Sequence, residues 1–369
     1  MRQPAEASPE SLDSNRHEST LFAFVKDLRK EEVLHQTSDK LSEGQKPGLF
    51  DIVQRSSEEA PSGVCILCGS LLQISIPGLS DTRFGVPGSY DIYRCAHCGL
   101  EETLPRPSAS GLKCLYETYY NFGGETGTRY TRWREHFFFS FLNRLWSSID
   151  GDISFYQRRG TGRLLDIGCN EGRGLRIYAR NGFEVEGIEL NPTAAAVARS
   201  FGFDVHTRLL SEFHPTTAYD VAVLSNVLEH SLDPKEMLLD IHRILVKGGR
   251  VWISCPNNES WLREVFGRSW INWHVPFHIF HFNSETLHGL LADAGYVDIE
   301  IKQITPALWV AGSLIAYFFA RKGRKTRQLR NPLWVGFSMV FARFVLFPAL
   351  WLGNRLGRGD CLLAIASKV

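Results

Sequence analysis

The stretch Leu165-Asp166-Ile167-Gly168-Cys169-Asn170-Glu171-Gly172-Arg173-Gly174 decides how this sequence folds. An apolar run typical of a buried strand ends at Ile167. A turn with three glycines follows, and a helical pattern begins near Leu175. Glycine lets the backbone of such a turn approach a ligand closely, and the start of a helix offers unpaired N–H groups. The stretch therefore predicts a strand, a ligand-binding turn and a helix, which together open an α/β sheet.

Downstream of this turn, apolar strand segments alternate with helical segments. Continuous apolar strands joined by helices indicate a parallel sheet that is covered on both faces, with right-handed crossovers. The predicted strands cover residues 163–168, 184–189, 204–206, 219–225, 250–254, 296–304 and 361–366. The predicted helices between them cover residues 175–181, 192–201 and 234–245.

Acidic side chains around the glycine turn indicate which nucleotide it binds. Glu189 closes the second strand about twenty residues on, where a carboxylate accepts hydrogen bonds from ribose hydroxyls. The turn itself carries Asp166 and Glu171 and no lysine. Carboxylates repel a pyrophosphate but attract a cofactor with an ammonium and a sulfonium group. The sequence therefore favours S-adenosylmethionine over a dinucleotide.

On these residues the sequence resembles the class I S-adenosylmethionine-dependent methyltransferases, whose first motif is Asp-x-Gly-x-Gly-x-Gly. Asp166, Gly168, Gly172 and Gly174 match the motif, and Asn170 stands at a position that is commonly glycine. Residues 219–234 look like the fourth-strand motif of the small-molecule branch, and residues 244–250 resemble its helix-to-strand turn. The resemblance implies a Rossmann-like, seven-stranded sheet of order 3-2-1-4-5-7-6 with an antiparallel seventh strand.

The same resemblance implies a role for individual residues of the cofactor site. Asp166, Gly168 and Asn170 would line the methionine part of the cofactor, and Gly172 belongs to the same cofactor-binding loop. Glu189 would contact the ribose. Leu210 and its neighbours would contact the adenine, and Asn226 would face the cofactor at the end of the fourth strand.

Four histidines follow the fourth and fifth strands and are candidate bases. Methyl transfer is an in-line displacement at an activated carbon, so the protein positions a nucleophile and removes its proton. His230 follows the fourth strand, whereas His274, His278 and His281 follow the fifth. The second group resembles a Pro-x-His-x-x-x-Phe segment of this methyltransferase branch, which favours His278.

Structural roles for these histidines stay open. His230 could instead cap the following helix, and the other three could be packed in a lid. A metal site from His274, His278 and His281 is disfavoured, because no acidic residue lies near them in the sequence.

Two Cys-x-x-Cys-Gly knuckles frame a short segment rich in glycine and proline. Cys65, Cys68, Cys95 and Cys98 supply four thiolates for a tetrahedral Zn²⁺, and a closed site of this kind stabilises a fold rather than catalysing a reaction. A redox role would not explain two paired knuckles. The segment is expected to form a separate zinc ribbon. A ribbon ahead of such a domain is similar to methyltransferases that modify sugars in surface-glycan or antibiotic pathways.

An apolar segment near the C-terminus interrupts the methyltransferase pattern. Residues 308–320 and 333–352 read as two apolar helices, joined by the basic residues 321–330. The first is too short for a hydrocarbon core of about 30 Å, and Arg343 in the second would cost roughly 3 kcal/mol at mid-membrane. We expect a hairpin that lies on an anionic membrane surface. The alternative is a dimerisation or core-covering pair.

Composition and charge exclude some partners. Lys and Arg number 41 against 40 Asp and Glu, so no whole-chain field attracts nucleic acid. The ribbon is not basic and the fourth strand ends in Ser225-Asn226-Val227-Leu228, without a base-flipping motif, so nucleic acid is not expected as a substrate. The first residues contain no apolar stretch behind a basic head, which favours the cytoplasm. The expected membrane-contacting hairpin would place the protein at the inner face of the membrane.

Together these patterns predict a domain order and a function. Residues 1–60 are a disordered tail, 61–115 the zinc ribbon, 116–160 an aromatic helical linker, 161–305 with 355–369 the methyltransferase domain, and 306–354 the hydrophobic hairpin. The expected reaction is methyl transfer to a small or lipid-linked acceptor, a sugar or glycan precursor. A quinone- or lipid-type O-methyltransferase and a non-catalytic zinc-ribbon scaffold are the alternatives, and a homodimer is left open.

Overall fold

The computed structural model describes residues 63–119 and 140–369. The predicted tail over residues 1–60 lies outside the described residues. So do residues 120–139 of the predicted linker, with most of its aromatic side chains.

The N-terminal ribbon is an antiparallel sheet. Its strands are β1 (Leu72–Leu79), β2 (Tyr90–Cys95) and β3 (Glu101–Leu104), and β2 lies in the middle. Helix α1 (Ala109–Tyr119) runs across the domain boundary expected at residue 115. Helix α2 (Phe141–Asp150) follows and contributes a buried Asp150 to later contacts.

Seven strands form the main sheet. They are β4 (Arg163–Ile167), β5 (Glu184–Ile188), β6 (Asp204–His206), β7 (Tyr219–Ser225), β8 (Leu245–Pro256), β10 (Tyr296–Ile304) and β11 (Cys361–Lys368), while β9 (Phe280–His281) lies elsewhere. The spatial order is β10-β11-β8-β7-β4-β5-β6. This is the predicted 3-2-1-4-5-7-6 order read from the other edge, and β11 runs antiparallel to both neighbours, so the topology is confirmed. The fifth strand begins at Leu245, earlier than the predicted residue 250.

Five helices lie between β4 and β10: α3 (Arg173–Arg180), α4 (Pro192–Ser200), α5 (Pro234–Ile244), α6 (Trp261–Phe266) and α7 (Ser284–Asp293). Local chemistry explains where they begin. Asn191 accepts hydrogen bonds from the first turn of α4, which has proline at its start. Asp233 caps α5 by accepting from the Glu236 N–H at 2.9 Å. The capping role considered for His230 is therefore wrong.

Apolar side chains cover both faces of the sheet, as a parallel sheet requires. On one face the buried residues include Leu165, Leu224 and Ile253. On the other, Leu164, Val223 and Trp252 pack with aromatic side chains of the segment after α2 and of α3. The two layers hold the carboxyl ends of β4 and β7 in fixed positions at one edge.

The ribbon is part of the same core, and the prediction of a separate module is wrong. Strand β9 pairs antiparallel with β3, so the ribbon sheet has four strands in the order β1-β2-β3-β9. Cys65 and Cys95 belong to the same buried cluster as Leu224 of the main sheet. The ribbon therefore packs directly against the segment that follows β8.

The apolar insertion contains three described helices rather than two. They are α8 (Ala307–Phe319), α9 (Pro332–Phe344) and α10 (Phe347–Arg355), and the last two meet at a bend of 66°. Arg343 is buried, pairs with Asp150 and donates a hydrogen bond to the Thr305 carbonyl at 3.1 Å. None of the described helices is by itself long and apolar enough to cross a membrane. The bent pair of α9 and α10 together has the length and composition for it, and these two properties are the only support.

One buried carboxylate joins the last strand to the segment after β8. Asp360, at the start of β11, accepts hydrogen bonds from the Trp270 Nε1–H at 2.8 Å and from the Asn272 Nδ2–H at 3.0 Å. Burial raises the pKa of Asp360 to about 6, and these donors act against that rise. The carboxylate therefore fixes the segment that carries His274 and His278.

Replacing Asp360 with alanine leaves these two buried donors without an acceptor. We expect Asp360→Ala to lower the free energy of unfolding by about 2–4 kcal/mol, since each orphaned donor costs about 1–3 kcal/mol. Urea titration followed by circular dichroism measures this change. The matched control is Asp293→Ala, which removes an exposed ion pair with Lys235 and should change stability by less than about 1 kcal/mol. Equal effects of the two substitutions would contradict the role given to Asp360.

Candidate active site

The glycine turn is held against the second strand by backbone hydrogen bonds and one carboxylate. The Gly168 and Cys169 N–H groups donate to the Ile188 carbonyl at 2.8 and 3.1 Å. The Glu189 carboxylate accepts from the Asn170 N–H at 2.8 Å and from the Asn191 N–H at 2.7 Å. Glu189 therefore lies beside the turn, where the sequence placed it.

The turn passes through left-handed backbone conformations. Gly168, Asn170 and Gly172 have φ values of 73°, 50° and 75°. Asparagine tolerates this region better than most residues, and its Oδ1 accepts here from the Glu171 N–H at 2.8 Å. A Cβ on Gly172 would lie 2.8 Å from the Cβ of Ala198 in α4. Asn170 thus replaces a glycine without changing the backbone path that the motif requires.

Asp166 lies buried at the end of β4, beside the turn. A Cβ on Gly174 would lie only 2.4 Å from Oδ2 of Asp166, so glycine at this position makes room for the carboxylate. Burial, together with the nearby charge of Glu189, raises the pKa of Asp166 to about 8. Because a cation would stabilise the ionised form, this pocket suits a positively charged ligand.

Asn226 supplies a second polar group at the end of the adjacent strand. Its φ is 56° and its N–H donates to the Ser254 carbonyl at 2.9 Å. Its Oδ1 is buried and has no hydrogen-bond partner among the described residues. A buried acceptor without a donor is costly, so a ligand with N–H or O–H groups fits here. Leu210 packs in one cluster with Ile167 and Ile188, at the tips of the first two strands.

The structure thus brings the predicted cofactor residues to one edge of the sheet. Tyr156 also belongs to this group of residues, although the sequence indicated only that it lies in the linker. Burial raises the pKa of Tyr156 to about 12, and the charges of Arg173 and Asp166 also act on its hydroxyl. No local sequence signal marks Tyr156 as a site residue, because its approach to Asp166 is a tertiary contact. Together the residues fit an adenosyl donor that carries positive charge.

Three histidines meet next to this edge. His230 ends a short 3₁₀ turn after β7, whereas His274 and His278 lie in the segment after β8. One ring nitrogen from each lies within 4.8 Å of the others. The ring centroids of His278 are 4.6 Å from those of His230 and 4.7 Å from those of His274. The cluster therefore joins the two groups of candidate bases into one site.

Hydrogen bonds to carbonyls fix the tautomers of two of these rings. Nδ1 of His278 lies 2.7 Å from the Asn272 carbonyl oxygen, and Nδ1 of His230 lies 2.9 Å from that of Phe277. Because a carbonyl only accepts, both Nδ1 atoms carry the proton and both Nε2 atoms keep a lone pair. Burial lowers the pKa of His230 to about 4 and that of His278 well below its usual range. Both rings are neutral at pH 7.

Two further residues complete the cluster. Glu229 is buried, and its Oε1 lies 3.9 Å from Nε2 of His278. Burial raises the pKa of Glu229 to about 8. The Tyr116 hydroxyl lies 3.0 Å from Nδ1 of His230. The sequence interpretation missed both: the position of Glu229 next to His230 was an available signal, whereas Tyr116 reaches the site from a distant helix.

His281 lies outside the cluster. Its Nε2 is 2.9 Å from the Thr103 hydroxyl, which donates in turn to the His278 carbonyl at 2.7 Å. The candidate base at His281 is therefore a link between the ribbon and the site. His230, rather than His281, lies with His274 and His278 in the cluster. The argument that no acidic partner is near is wrong, because Glu229 lies beside His278.

The four ribbon cysteines lie together. Sγ of Cys65 is 3.5 Å from that of Cys98, and Sγ of Cys68 is 3.4 Å from that of Cys95. These separations are far longer than a disulfide bond of about 2.05 Å. All four sulfur atoms lie within 4.8 Å of one another, a donor set that fits one tetrahedral Zn²⁺.

Comparisons with known proteins agree with this geometry. A family model described as a methyltransferase domain matches residues 130–301. A "probable S-adenosylmethionine-dependent methyltransferase" of Mycobacterium tuberculosis is 34% identical over 151 residues, which cover 39% of this chain and 53% of that protein. The ubiquinone biosynthesis O-methyltransferase of Sodalis glossinidius is 31% identical over 124 residues, 31% of this chain and 49% of that protein. The chain thus spans about half the length of the curated relatives it matches.

Solved structures are similar as well. The phosphoethanolamine N-methyltransferase 2 of Haemonchus contortus, in complex with S-adenosyl-L-methionine, is 18% identical with a TM-score of 0.42, covering 73% of this chain and 62% of that one. The family match coincides with the glycine turn, the acidic end of β5 and the predicted strand order. The seven-stranded domain of this chain therefore belongs to the class I S-adenosylmethionine-dependent methyltransferases.

Proposed function

We propose that this chain transfers a methyl group from S-adenosylmethionine to a hydroxyl of a small acceptor, a sugar or glycan precursor carried on a lipid. One observation carries the proposal. The acidic glycine turn and the histidine cluster lie at the carboxyl ends of neighbouring strands, β4 and β7. An open α/β sheet binds its ligands at this edge.

The donor half of the site consists of Asp166, Glu189 and Asn226, with Gly168, Asn170 and Gly172 shaping the turn. In this proposal Asp166 and the unpartnered Oδ1 of Asn226 face the charged methionine part, and Glu189 faces the ribose. The cofactor supplies a methyl group already activated by a sulfonium, so the chain contributes orientation and removal of a proton.

The acceptor half consists of the histidine cluster and nearby aromatic rings. The lone pair on Nε2 of His278 accepts the acceptor's hydroxyl proton, and His230 with Tyr116 orients the hydroxyl. Phe84 and Phe277 line the cluster, with ring centroids 5.5 Å and 5.1 Å from that of His274. Hydrogen-bonding groups beside aromatic faces suit a sugar, which presents both hydroxyls and an apolar face.

A phenolic, quinone-type acceptor is the second candidate. The aromatic walls favour it, and one curated relative is named a ubiquinone biosynthesis O-methyltransferase. Assays with matched sugar and catechol acceptors separate the two classes. A non-catalytic scaffold that retains the fold would bind no donor and transfer no methyl group to either.

Protonation of Asp166 provides a test of the donor half. Between pH 6.0 and 7.5 Asp166 passes from almost fully protonated to partly ionised, because its pKa lies near 8. The cationic donor binds the ionised form better, so its affinity should rise at least threefold over this range. Isothermal titration calorimetry measures it. Asp166→Asn should bind at least tenfold more weakly at pH 7.5 and lose most of the rise; a wild-type affinity independent of pH would contradict the assignment.

Replacing the candidate base tests the acceptor half. We expect His278→Ala to lower kcat by about a hundredfold or more, as loss of a general base does, with donor affinity changed less than about twofold. Transfer of a labelled methyl group measures kcat. The control His288→Ala changes an exposed histidine of α7 and should keep full activity. Normal turnover in His278→Ala would exclude it as the base.

We further propose that the four ribbon cysteines bind a structural Zn²⁺. Supporting this, the four thiols are mutually close and unbridged. A closed four-sulfur site would stabilise the strand β3 that pairs with β9.

The lipid-linked part of the proposal rests on the helices of the insertion. Their exposed apolar side chains include Phe318, Leu333, Phe337 and Phe344, and six basic residues lie between α8 and α9. Exposed apolar side chains next to a basic segment suit the surface of an anionic membrane, which for a cytoplasmic protein is the inner face. A homodimer through the same helices is the competing arrangement.

Vesicle flotation tests the membrane proposal. The chain should float with vesicles of anionic phospholipid but not with pure phosphatidylcholine, and Phe337→Ser with Phe344→Ser should reduce flotation at least fivefold. The control pair Leu71→Ser and Ile74→Ser removes equally exposed apolar side chains from the ribbon and should leave flotation unchanged. A dimer in analytical ultracentrifugation that the first pair abolishes, without flotation, would favour self-association.

A further inference from the structure

The geometry of the histidine cluster points to a second metal site. We infer that His230, His274 and His278, with Glu229 beside them, bind one divalent transition-metal ion on the acceptor side of the domain. The inference rests on the proposed function, because it names a ligand for the site where the acceptor hydroxyl is activated.

The spacing of the rings fits an ion after a small contraction. One nitrogen of each histidine lies within 4.8 Å of the other two. A point central to such a triangle is at most roughly 2.8 Å from each nitrogen, against roughly 2.0–2.1 Å for a zinc–imidazole bond. Movements of less than about 1 Å by side chains therefore complete the coordination.

The orientation of two rings matches that of metal ligands. A histidine that binds a metal usually donates its other ring N–H to a carbonyl or carboxylate, which fixes the tautomer and the direction of the lone pair. His278 makes this bond to the Asn272 carbonyl at 2.7 Å, and His230 makes it to the Phe277 carbonyl at 2.9 Å. With Nδ1 protonated, Nε2 is the nitrogen that carries the lone pair in both rings.

The environment of Glu229 supports the metal site independently of the histidine spacing. Its side chain is 1% exposed, and neither carboxylate oxygen has a hydrogen-bond partner among the described residues. The charge of Arg83 offsets part of the cost of burying this carboxylate, and a cation held by the adjacent rings would offset more of it. The backbone is fixed here, because the Ile279 N–H donates to the Glu229 carbonyl at 2.8 Å. Glu229 is therefore held beside the rings rather than free to turn outward.

The donor set selects the class of ion. Three neutral imidazoles suit zinc, iron, nickel or copper rather than magnesium or calcium, which prefer oxygen ligands. Three histidine ligands leave the fourth position of a tetrahedral ion for the acceptor oxygen. The ion would lower the pKa of that hydroxyl, its proton would pass to Glu229, and the oxygen would form the new bond to the methyl carbon as the sulfur–methyl bond breaks. In the ion-free chain, Nε2 of His278 keeps the role of base.

Counting metal ions in the full chain tests the inference. After equilibration with Zn²⁺ and dialysis, elemental analysis of the wild type should give two ions per chain. His274→Ala should give one, Cys68→Ser with Cys98→Ser should give one, and the control His288→Ala should give two. One ion in the wild type that the cysteine pair removes, or two ions in His274→Ala, would overturn the inference.

Cobalt provides a second readout that does not depend on the stability of one variant. With Co²⁺ in the Cys68→Ser and Cys98→Ser chain, visible d–d bands should persist without thiolate charge-transfer bands, and His230→Gln should abolish them. Absence of these bands would contradict the site. Calorimetry with S-adenosylmethionine on the same samples separates the proposals. If the chain binds the donor but no second ion, only the metal-site inference is refuted. If it binds the second ion but not the donor, the proposed function is refuted.

Discussion

The packing of the buried Asp166 carboxyl group against Gly174, which has no side chain, is the constraint on which the donor site depends. Asp166 ends β4 in a space that any Cβ on Gly174 would enter. Glu189 then ties Asn170 to the end of β5, so the turn cannot move away from the second strand. Burial raises the pKa of both carboxyl groups, and the charge of Glu189 also raises the pKa of Asp166, so a bound cation would stabilise their ionised forms. Under the proposed function, this fixed backbone would favour a positively charged donor.

The sheet was predictable because its information is local. The apolar runs of β4, β7 and β8 mark strands locally, whereas the strand order was implied by the resemblance of the β4 and β7 motifs to a known family. The ribbon's fourth strand was not predictable, since two residues carry no periodicity and Thr103 meets His281 across 178 residues of chain. The break between α9 and α10 did have a signal: Pro348 cannot continue a helix that began at Pro332.

The candidate site divides in the same way. Asp166, Gly168, Asn170, Gly172 and Glu189 fall within one strand–turn–helix–strand unit, so the sequence places them together. The acceptor half takes groups from three separate segments, near residues 116, 229 and 274–278, and only packing brings them into contact. His281, although it shares a segment with His274 and His278, lies outside the cluster because its ring contacts Thr103 of the ribbon.

This arrangement gives the ribbon a physical connection to one half of the site and not to the other. Strand β3 pairs with β9, and the Thr103 hydroxyl donates to the carbonyl of His278, so the ribbon fixes the backbone beside the acceptor cluster. The described donor turn has no such contact; its hydrogen bonds run to β5. Metal bound by the four thiols, as proposed, would therefore order the acceptor half while leaving the donor half to the sheet. The two halves therefore depend on different parts of the chain.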